Sequence, residues 1–371
     1  MENMMNKTTN NAAEITTQMA PAIKAMDMHS YMHEYMSMDI AEFRSSGNIM
    51  SGYSNLDEIT NLYPGLYVIG AISSLGKTTF IHQMADQMAK NGEHIIFFSM
   101  EQTTLELATK SLSRIMAQKY GENAMTSLQI RKAEIDERVE QAIAEYDAYS
   151  ANVTVVECGF RSTIEDIENY VLDFIKEKEV KPIVIVDYLQ IIQSKDGKLA
   201  SKDAVDMHVK RLKDLQADNK LVMIVISSFN RANYMSEVSF ESFKESGSIE
   251  YTADVIWGLQ LSVLHNPIFD NASKINTKRG MIRLSKMEDP RKVELICLKS
   301  RSGSSGYICS FDYYAKYDWF KPIETVDNCN LLINNFSSKE NEDNNRLSDE
   351  ETTEFWYLRD DNVLDDEEIF T

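Results

Sequence analysis

An α/β fold, with a mostly parallel sheet covered by helices on both faces, is predicted by three observations. Between Ile49 and about Pro322, short β-type runs alternate with helical stretches, the pattern of a parallel sheet built from crossover connections. The apolar run Leu66-Tyr67-Val68-Ile69-Gly70-Ala71 stops at the loop Ile72-Ser73-Ser74-Leu75-Gly76, and Lys77-Thr78-Thr79 then opens a helical pattern. A second apolar run, Ile183-Val184-Ile185-Val186, delivers Asp187 to a strand's carboxyl end. Strand, glycine-containing loop and helix in this order wrap a nucleotide's phosphates. Loop N–H groups and the positive helix end face the anion, Lys77 neutralises the terminal phosphates, and Thr78 offers a hydroxyl to Mg²⁺. A chance Gly-Lys-Thr on a surface helix is the competing reading, and the strand before the loop argues against it.

Taken in chain order, residues up to about Pro21 read as a flexible arm. Met28, Tyr31, Met32, Tyr35, Met36, Ile40 and Phe43 then recur at helical spacing as far as Ser45-Ser46-Gly47. That stripe fits a helix packed on its own domain and a helix docked on a neighbouring subunit equally well. Residues 1–48 are thus an arm plus a linker helix, and 49–325 form the domain. Its expected strands are Tyr67–Ala71, His94–Ser99, Val153–Glu157, Ile183–Asp187, Val222–Ser227, Val255–Leu261 and Val293–Lys299. Helical patterns between them cover Thr78–Ala89, Thr104–Gln118, Ile130–Tyr149 and Ile164–Glu177. After Phe320 the pattern decays, and 326–371 reads as an acidic disordered tail.

Composition narrows the partners. Of the net charge of −20, half sits in the tail, where thirteen acidic residues face three basic ones between Lys339 and Thr371. A protein that coats nucleic acid with a basic surface is excluded, so any DNA must be held in a local basic channel. The four cysteines, Cys158, Cys297, Cys309 and Cys329, form no C-x-x-C pair. They read as reduced, mostly buried residues of a cytoplasmic protein, and no zinc site is expected. No apolar run is long enough to span a bilayer, so no membrane partner is expected.

Three strand ends would converge on the nucleotide, because ligands of such sheets gather at the carboxyl edge. Asp187 suits the hydration shell of the Mg²⁺ that Thr78 ligates. Glu101, just past the run Ile95–Ser99, suits a general base that orients water toward the γ-phosphate. Ser227, Ser228 and Asn230, after Val222–Ile226, are placed to sense that phosphate.

With these residues in place, the chain resembles the ATPase domain of DnaB-type replicative DNA helicases, in their phage or mobile-element branch. The resemblance rests on Ser51-Gly52-Tyr53-Ser54-Asn55-Leu56-Asp57, the Ala71–Thr79 loop, Ser99-Met100-Glu101 and Asp187-Tyr188-Leu189-Gln190. It rests equally on Ser227-Ser228-Phe229-Asn230-Arg231, Glu245-Ser246-Gly247-Ser248-Ile249-Glu250 and Lys299-Ser300-Arg301-Ser302-Gly303, in the family's order. What it implies is a RecA-like P-loop NTPase fold, ATP and Mg²⁺ as cofactors, and a homo-hexameric ring with ATP between neighbours. Ser73, Ser74, Leu75, Gly76, Lys77, Thr78 and Thr79 would cradle the phosphates. Thr78 and Asp187 would hold the metal, and Glu101 would be the catalytic base. Lys299 and Arg301 would reach into the adjacent subunit's site, where a cation neutralises charge on the γ-phosphoryl group.

For DNA, the family's channel loops match one region with Lys195, Lys198 and Lys202 and a second running from Arg231 through Lys244 and Glu245 to Gly247. Such loops bind phosphate without sequence preference. The implied activity is 5′ to 3′ translocation on single-stranded DNA and unwinding of forked DNA. A non-unwinding, DNA-dependent ATPase scaffold is the alternative. The acidic tail, tipped by Ile369 and Phe370, is a candidate for recruiting a primase, polymerase or loader. Four departures from the family are visible: Ala71 for the first loop glycine, Ser228 for a glutamine, Lys244 for an arginine, and too few residues before Ile49 for the usual N-terminal domain.

Overall fold

The computed structural model describes residues 26–46, 49–132, 135–159, 161–192, 202–230, 233–243, 246–266, 269 and 275–324. They fall into two compact units, Met1–Ser45 and Ser46–Thr371. In the first, Asp27 caps the helix start at Met28, its carboxylate accepting from the Ser30 amide at 2.9 Å and the Ser30 hydroxyl at 2.7 Å. A π-turn, Tyr31–Tyr35, joins Met28–Ser30 to Met36–Ser46. The expected Met/aromatic stripe is there, with Met28, Met32, Tyr35, Met36, Ile40 and Phe43 all exposed.

The second unit is built on one nine-stranded sheet. Its strands are β1 Gly65–Ala71, β2 Ile95–Ser99, β3 Val153–Glu157, β4 Ile183–Asp187, β5 Val222–Ser228, β6 Val255–Leu261, β7 Arg291–Ser300, β8 Ile308–Tyr314 and β9 Trp319–Pro322. Their spatial order is β3-β2-β4-β5-β1-β6-β7-β8-β9. Pairing is parallel from β3 to β6 and antiparallel from β6 to β9. The Val/Ile-rich strands β1, β2, β4 and β6 are buried throughout, as a sheet covered on both faces requires. In β8 burial alternates instead, with Cys309, Phe311 and Tyr313 turned inward.

All seven expected strands form, and β8 and β9 extend the sheet beyond them. The helices Lys77–Lys90, Thr104–Tyr120 and Ile164–Lys178 lie where the patterns place them. The single helix expected over Ile130–Tyr149 is two, Ser127–Lys132 and Glu137–Ser150. Asp136 caps the second, its carboxylate accepting from the amides of Arg138 at 3.0 Å and Val139 at 3.1 Å. An N-cap residue needs extended backbone, which ends the preceding helix. The helices Lys202–Asn219, Ser246–Thr252 and Ile275–Met287 come in addition.

The phosphate-loop helix is fixed from both sides by aromatic packing. Tyr53 stacks on Phe80 at 4.6 Å and its hydroxyl donates to the Phe80 carbonyl at 2.8 Å. Phe311 and Phe320, from β8 and β9, meet Phe80 edge-on at 5.3 and 5.2 Å. The lead-in motif is locked by Asp57, whose carboxylate accepts from the Ser51 amide and hydroxyl, each at 2.7 Å, and from the Gly52 amide at 2.8 Å.

His82, on the same helix, is buried with its ring edge-on to Phe97 at 5.8 Å. Burial lowers its pKa from the ordinary value to about 4. On acidification the unfolded chain therefore binds this proton first. Stability is intact above about pH 6.5 and declines as pH falls toward the folded-state value, by about 3 kcal/mol from this group. Urea midpoints measured between pH 7 and 4 are expected to show the decline, and His82→Asn to flatten part of it.

Candidate nucleotide site

Parallel pairing brings the carboxyl ends of β2, β4, β5 and β1 to one edge. The register sets Ala71 of β1 beside Ser228 of β5, and Ser99 of β2 beside Asp187 of β4. Each ends a strand of the sheet, so the polar residues at or just past these ends, Ser73, Glu101, Asp187 and Ser228, meet at that edge.

The loop after β1 turns through two left-handed residues, Ser74 with φ of 61° and Gly76 with φ of 90°. Gly76 is required twice over, because a Cβ there would also lie 2.9 Å from the Tyr313 ring. Ala71 is not among the described residues with positive φ, so its methyl adds no backbone strain. Lys77 folds back over the loop, its Nζ donating to the carbonyls of Ala71 at 3.1 Å and Ile72 at 3.2 Å. Ser73 meets the Tyr234 hydroxyl at 3.1 Å. The Leu75 side chain is fully buried, which leaves only its backbone to the loop.

The Thr78 hydroxyl donates to Asp187 Oδ2 at 2.7 Å. Asp187 is 1% exposed. Burial raises its carboxyl to about 6, against the Thr78 hydrogen bond, and the charge of Glu101 raises it further, while Lys77 and Lys110 oppose. The peptide from Asp187 to Tyr188 is cis. Gln190 ties β4 to β5, donating to Ser227 Oγ at 2.9 Å and accepting from the Ser228 amide at 3.4 Å. Ser228 is therefore held beside the site through its backbone by a neighbouring glutamine side chain.

Together these groups line a polar cleft of about 450 Å³, with Ser73, Ser74, Gly76, Lys77, Thr78 and Thr79 along one side. Glu101, Asp187 and Ser228 close it from the β2, β4 and β5 ends. Sequence reasoning missed Lys110, Tyr188, Tyr313 and Asp318, which also line it. Tyr188 stood inside a quoted motif; Lys110 and Asp318 belong to none. Thr78 and Asp187 offer two hard oxygen donors, which fits Mg²⁺ shared with a phosphate, since that ion keeps few protein ligands. Among the described residues no cluster of three or more His, Cys, Asp or Glu side chains could hold a metal alone.

Lys299 and Arg301 are elsewhere. Lys299 lies near the end of β7 and Arg301 just past it, at the amino edge of β1 and β6, where Arg301 N donates to the Asp254 carbonyl at 2.9 Å and Asp254 N to the Leu66 carbonyl at 2.8 Å. Leu66 and Ala71 are five residues apart on β1, about 16 Å at strand rise. The Arg301 guanidinium pairs with Asp254 at 3.1 Å and donates to the Tyr251 carbonyl at 2.8 Å. Lys299 Nζ donates to the Glu250 carbonyl at 2.5 Å, and burial lowers its pKa, with Arg301 adding to the effect. Of the expected DNA contacts, Lys195, Lys198, Arg231, Lys244 and Glu245 lie outside the described residues. Lys202 opens the Lys202–Asn219 helix, and Gly247 is in Ser246–Thr252. No described helix is long and apolar enough to cross a membrane.

Comparison with known proteins places this site in context. Residues 48–322 match the model of the DnaB-like helicase C-terminal domain family. The replicative DNA helicase DnaB of Leifsonia xyli subsp. xyli is 29% identical over 230 residues, covering 57% of this chain and 46% of that protein. A probable replicative DNA helicase of Trieres chinensis is 23% identical over 285 residues, covering 72% of this chain and 58% of the relative. The chain thus spans about half the length of the curated relatives it matches. Among solved structures, one described as an ATPase domain superposes with a TM-score of 0.62 at 20% identity, covering 80% of this chain and 100% of that one. A DnaB-like replicative helicase, described with its interactions with primase, gives 0.60 at 18% identity, covering 81% and 68%. The shared fold is RecA-like.

Proposed function

The chain belongs to the DnaB-like helicase C-terminal domain family, and from that premise we propose that it is an ATP-driven motor. In this reading it assembles as a homo-hexameric ring, moves 5′ to 3′ along one DNA strand and excludes the other. The observation that supports it best is the 2.7 Å contact of Thr78 with Asp187, in one cleft with Lys77 and Glu101. A triphosphate would lie along the loop between Ser73 and Thr79, with Lys77 released from the loop carbonyls to the phosphates. Mg²⁺, when bound, would be held by Thr78 and Asp187 and would neutralise phosphate charge. Glu101 orients the attacking water and accepts its proton. Lys299 and Arg301, remote from their own phosphate loop, serve the site of the next subunit.

Forked-duplex unwinding with ATP tests the motor. Strand separation that requires a 5′ single-stranded arm and Mg²⁺ is the expected result. ATP turnover stimulated by single-stranded DNA, with no strand separation at any protein concentration, would instead favour the DNA-dependent scaffold.

A further inference from the structure

The Ile275–Met287 helix, which leads into β7, runs against the charge of the rest of the chain. It carries Lys278, Arg279, Arg283 and Lys286 and no Asp or Glu, although the protein's net charge is −20. The first acids after it are Glu288 and Asp289, and Asp289 is engaged by Lys316 at 3.0 Å. Ile282 and Ser285 are turned into the protein, and the Lys278 ammonium lies over the Phe269 ring at 4.8 Å. Two stripes run side by side on the remaining surface. Arg279, Arg283 and Lys286 follow one another at i, i+4 and i+7, and Gly280, Leu284 and Met287 do the same one position over. Arg283 is exposed, and Arg279 and Lys286 are half-buried. Leu284 is 59% exposed and Met287 72%.

Gly280 adds an independent observation. A glycine inside a helix weakens it relative to alanine, and a Cβ there would meet nothing within 4 Å among the described residues. Packing inside the protein gives no reason for it. A position without a side chain does let another main chain come close.

The sequence holds a segment complementary to both stripes. Leu364–Thr371 has four consecutive acids, Asp365 to Glu368, followed by Ile369 and Phe370. Its point of attachment is near. Pro322 is in register with Phe311, and Phe311 with Val293, six residues after Met287. Two strand spacings and six residues make a gap of at most about 30 Å. The forty residues between Glu324 and Asp365 are ample to bridge it. DNA would match the charges but leave Leu284 and Met287 uncovered.

We infer that the Ile275–Met287 helix is the dock for this chain's own C-terminal segment, Leu364–Thr371. Its acids meet Arg279, Arg283 and Lys286, while Ile369 and Phe370 cover Leu284 and Met287 beside Gly280.

A labelled peptide of residues 360–371, followed by fluorescence anisotropy, tests this against the full chain and a chain ending at Val363. The shortened chain is expected to bind the peptide at least about tenfold tighter, because in the full chain a tethered tail competes at high local concentration. Equal binding by the two, or no binding by the shortened chain, overturns the inference. Diluting the full chain should not relieve the competition; relief would hand the tail to a neighbouring copy and overturn the same-chain assignment. In the shortened chain, Arg283→Glu should weaken the peptide by about fivefold or more, an exposed attraction having become a repulsion. Phe370→Ala in the peptide should cost about tenfold, for the lost aromatic anchor. Gly280→Gln separates docking from folding: thermal unfolding should show a more stable chain while peptide binding falls. Unchanged binding in either variant overturns the inference. So does an Arg283→Glu chain that loses single-stranded DNA and keeps the peptide, since the face then belongs to DNA. Should Arg283→Glu not fold, Gly280→Gln and Phe370→Ala decide.

Discussion

Mixing two inactive variants, Lys77→Ala and Arg301→Ala, is expected to restore ATP turnover. Each alone should lose about 10²–10³-fold, the range for removing a preorganised charge from a phosphoryl-transfer site. Their defects lie at opposite ends of β1, with the phosphate loop at Ala71 and Arg301 beside Leu66 and Asp254. Lys77→Ala subunits keep an intact Arg301, and Arg301→Ala subunits keep an intact loop. A junction between the two kinds, in one of its two orientations, pairs sound halves. A randomly mixed ring should recover roughly a quarter of wild-type turnover per site if each site draws on two subunits. The contact with Asp254 does not prevent Arg301 from serving there: the side chain is 50% exposed, and exposed pairs hold with only about 0–1 kcal/mol. No recovery on mixing, with both variants assembling normally, would return Arg301 to a local role beside Asp254 and Tyr251.

Glu101→Gln carries the second large effect. The residue follows β2, is exposed to the cleft, and sits near enough to Asp187 to raise its pKa. A glutamine keeps the shape and can hold water but cannot take its proton, so turnover should fall about 10²–10⁴-fold. Nucleotide binding should survive, because no phosphate contact is removed. It should even improve slightly in the acid range, since Asp187 then ionises more readily without a negative neighbour. Single-turnover hydrolysis beside equilibrium binding of ATP separates the two quantities. Loss of binding together with turnover would mean that Glu101 shapes the cleft and does not act as a base.

Most of the site was legible in the sequence because its parts end apolar strands. Asp187 and the Gly76–Thr78 turn are local signals: a continuous Val/Ile run, then an abrupt polar residue. Tyr67–Ala71, Val153–Glu157, Ile183–Asp187 and Val255–Leu261 can be read for the same reason. Strand β8 was harder, since Ile308-Cys309-Ser310-Phe311-Asp312-Tyr313-Tyr314 alternates and its polar positions dilute the run. The Lys202–Asn219 helix hides its buried Val205, Val209, Leu212 and Leu215 among charges. Lys110 and Asp318 illustrate the real limit. Separated by some two hundred residues of chain, they meet only because β9 pairs with β8 over the phosphate-loop helix. No spacing rule links them.

The antipodal placement of the loop and Arg301 constrains any assembly. If Arg301 serves a neighbour's phosphate loop, as proposed, the surface that donates it and the surface that receives one lie at opposite ends of β1 and are joined head to tail. Two copies cannot satisfy each other in such a scheme, and a linear row always terminates in one subunit whose nucleotide lacks its incoming cation. Closing the row completes that last station, whereas opening it at any seam idles a single station and leaves the others armed.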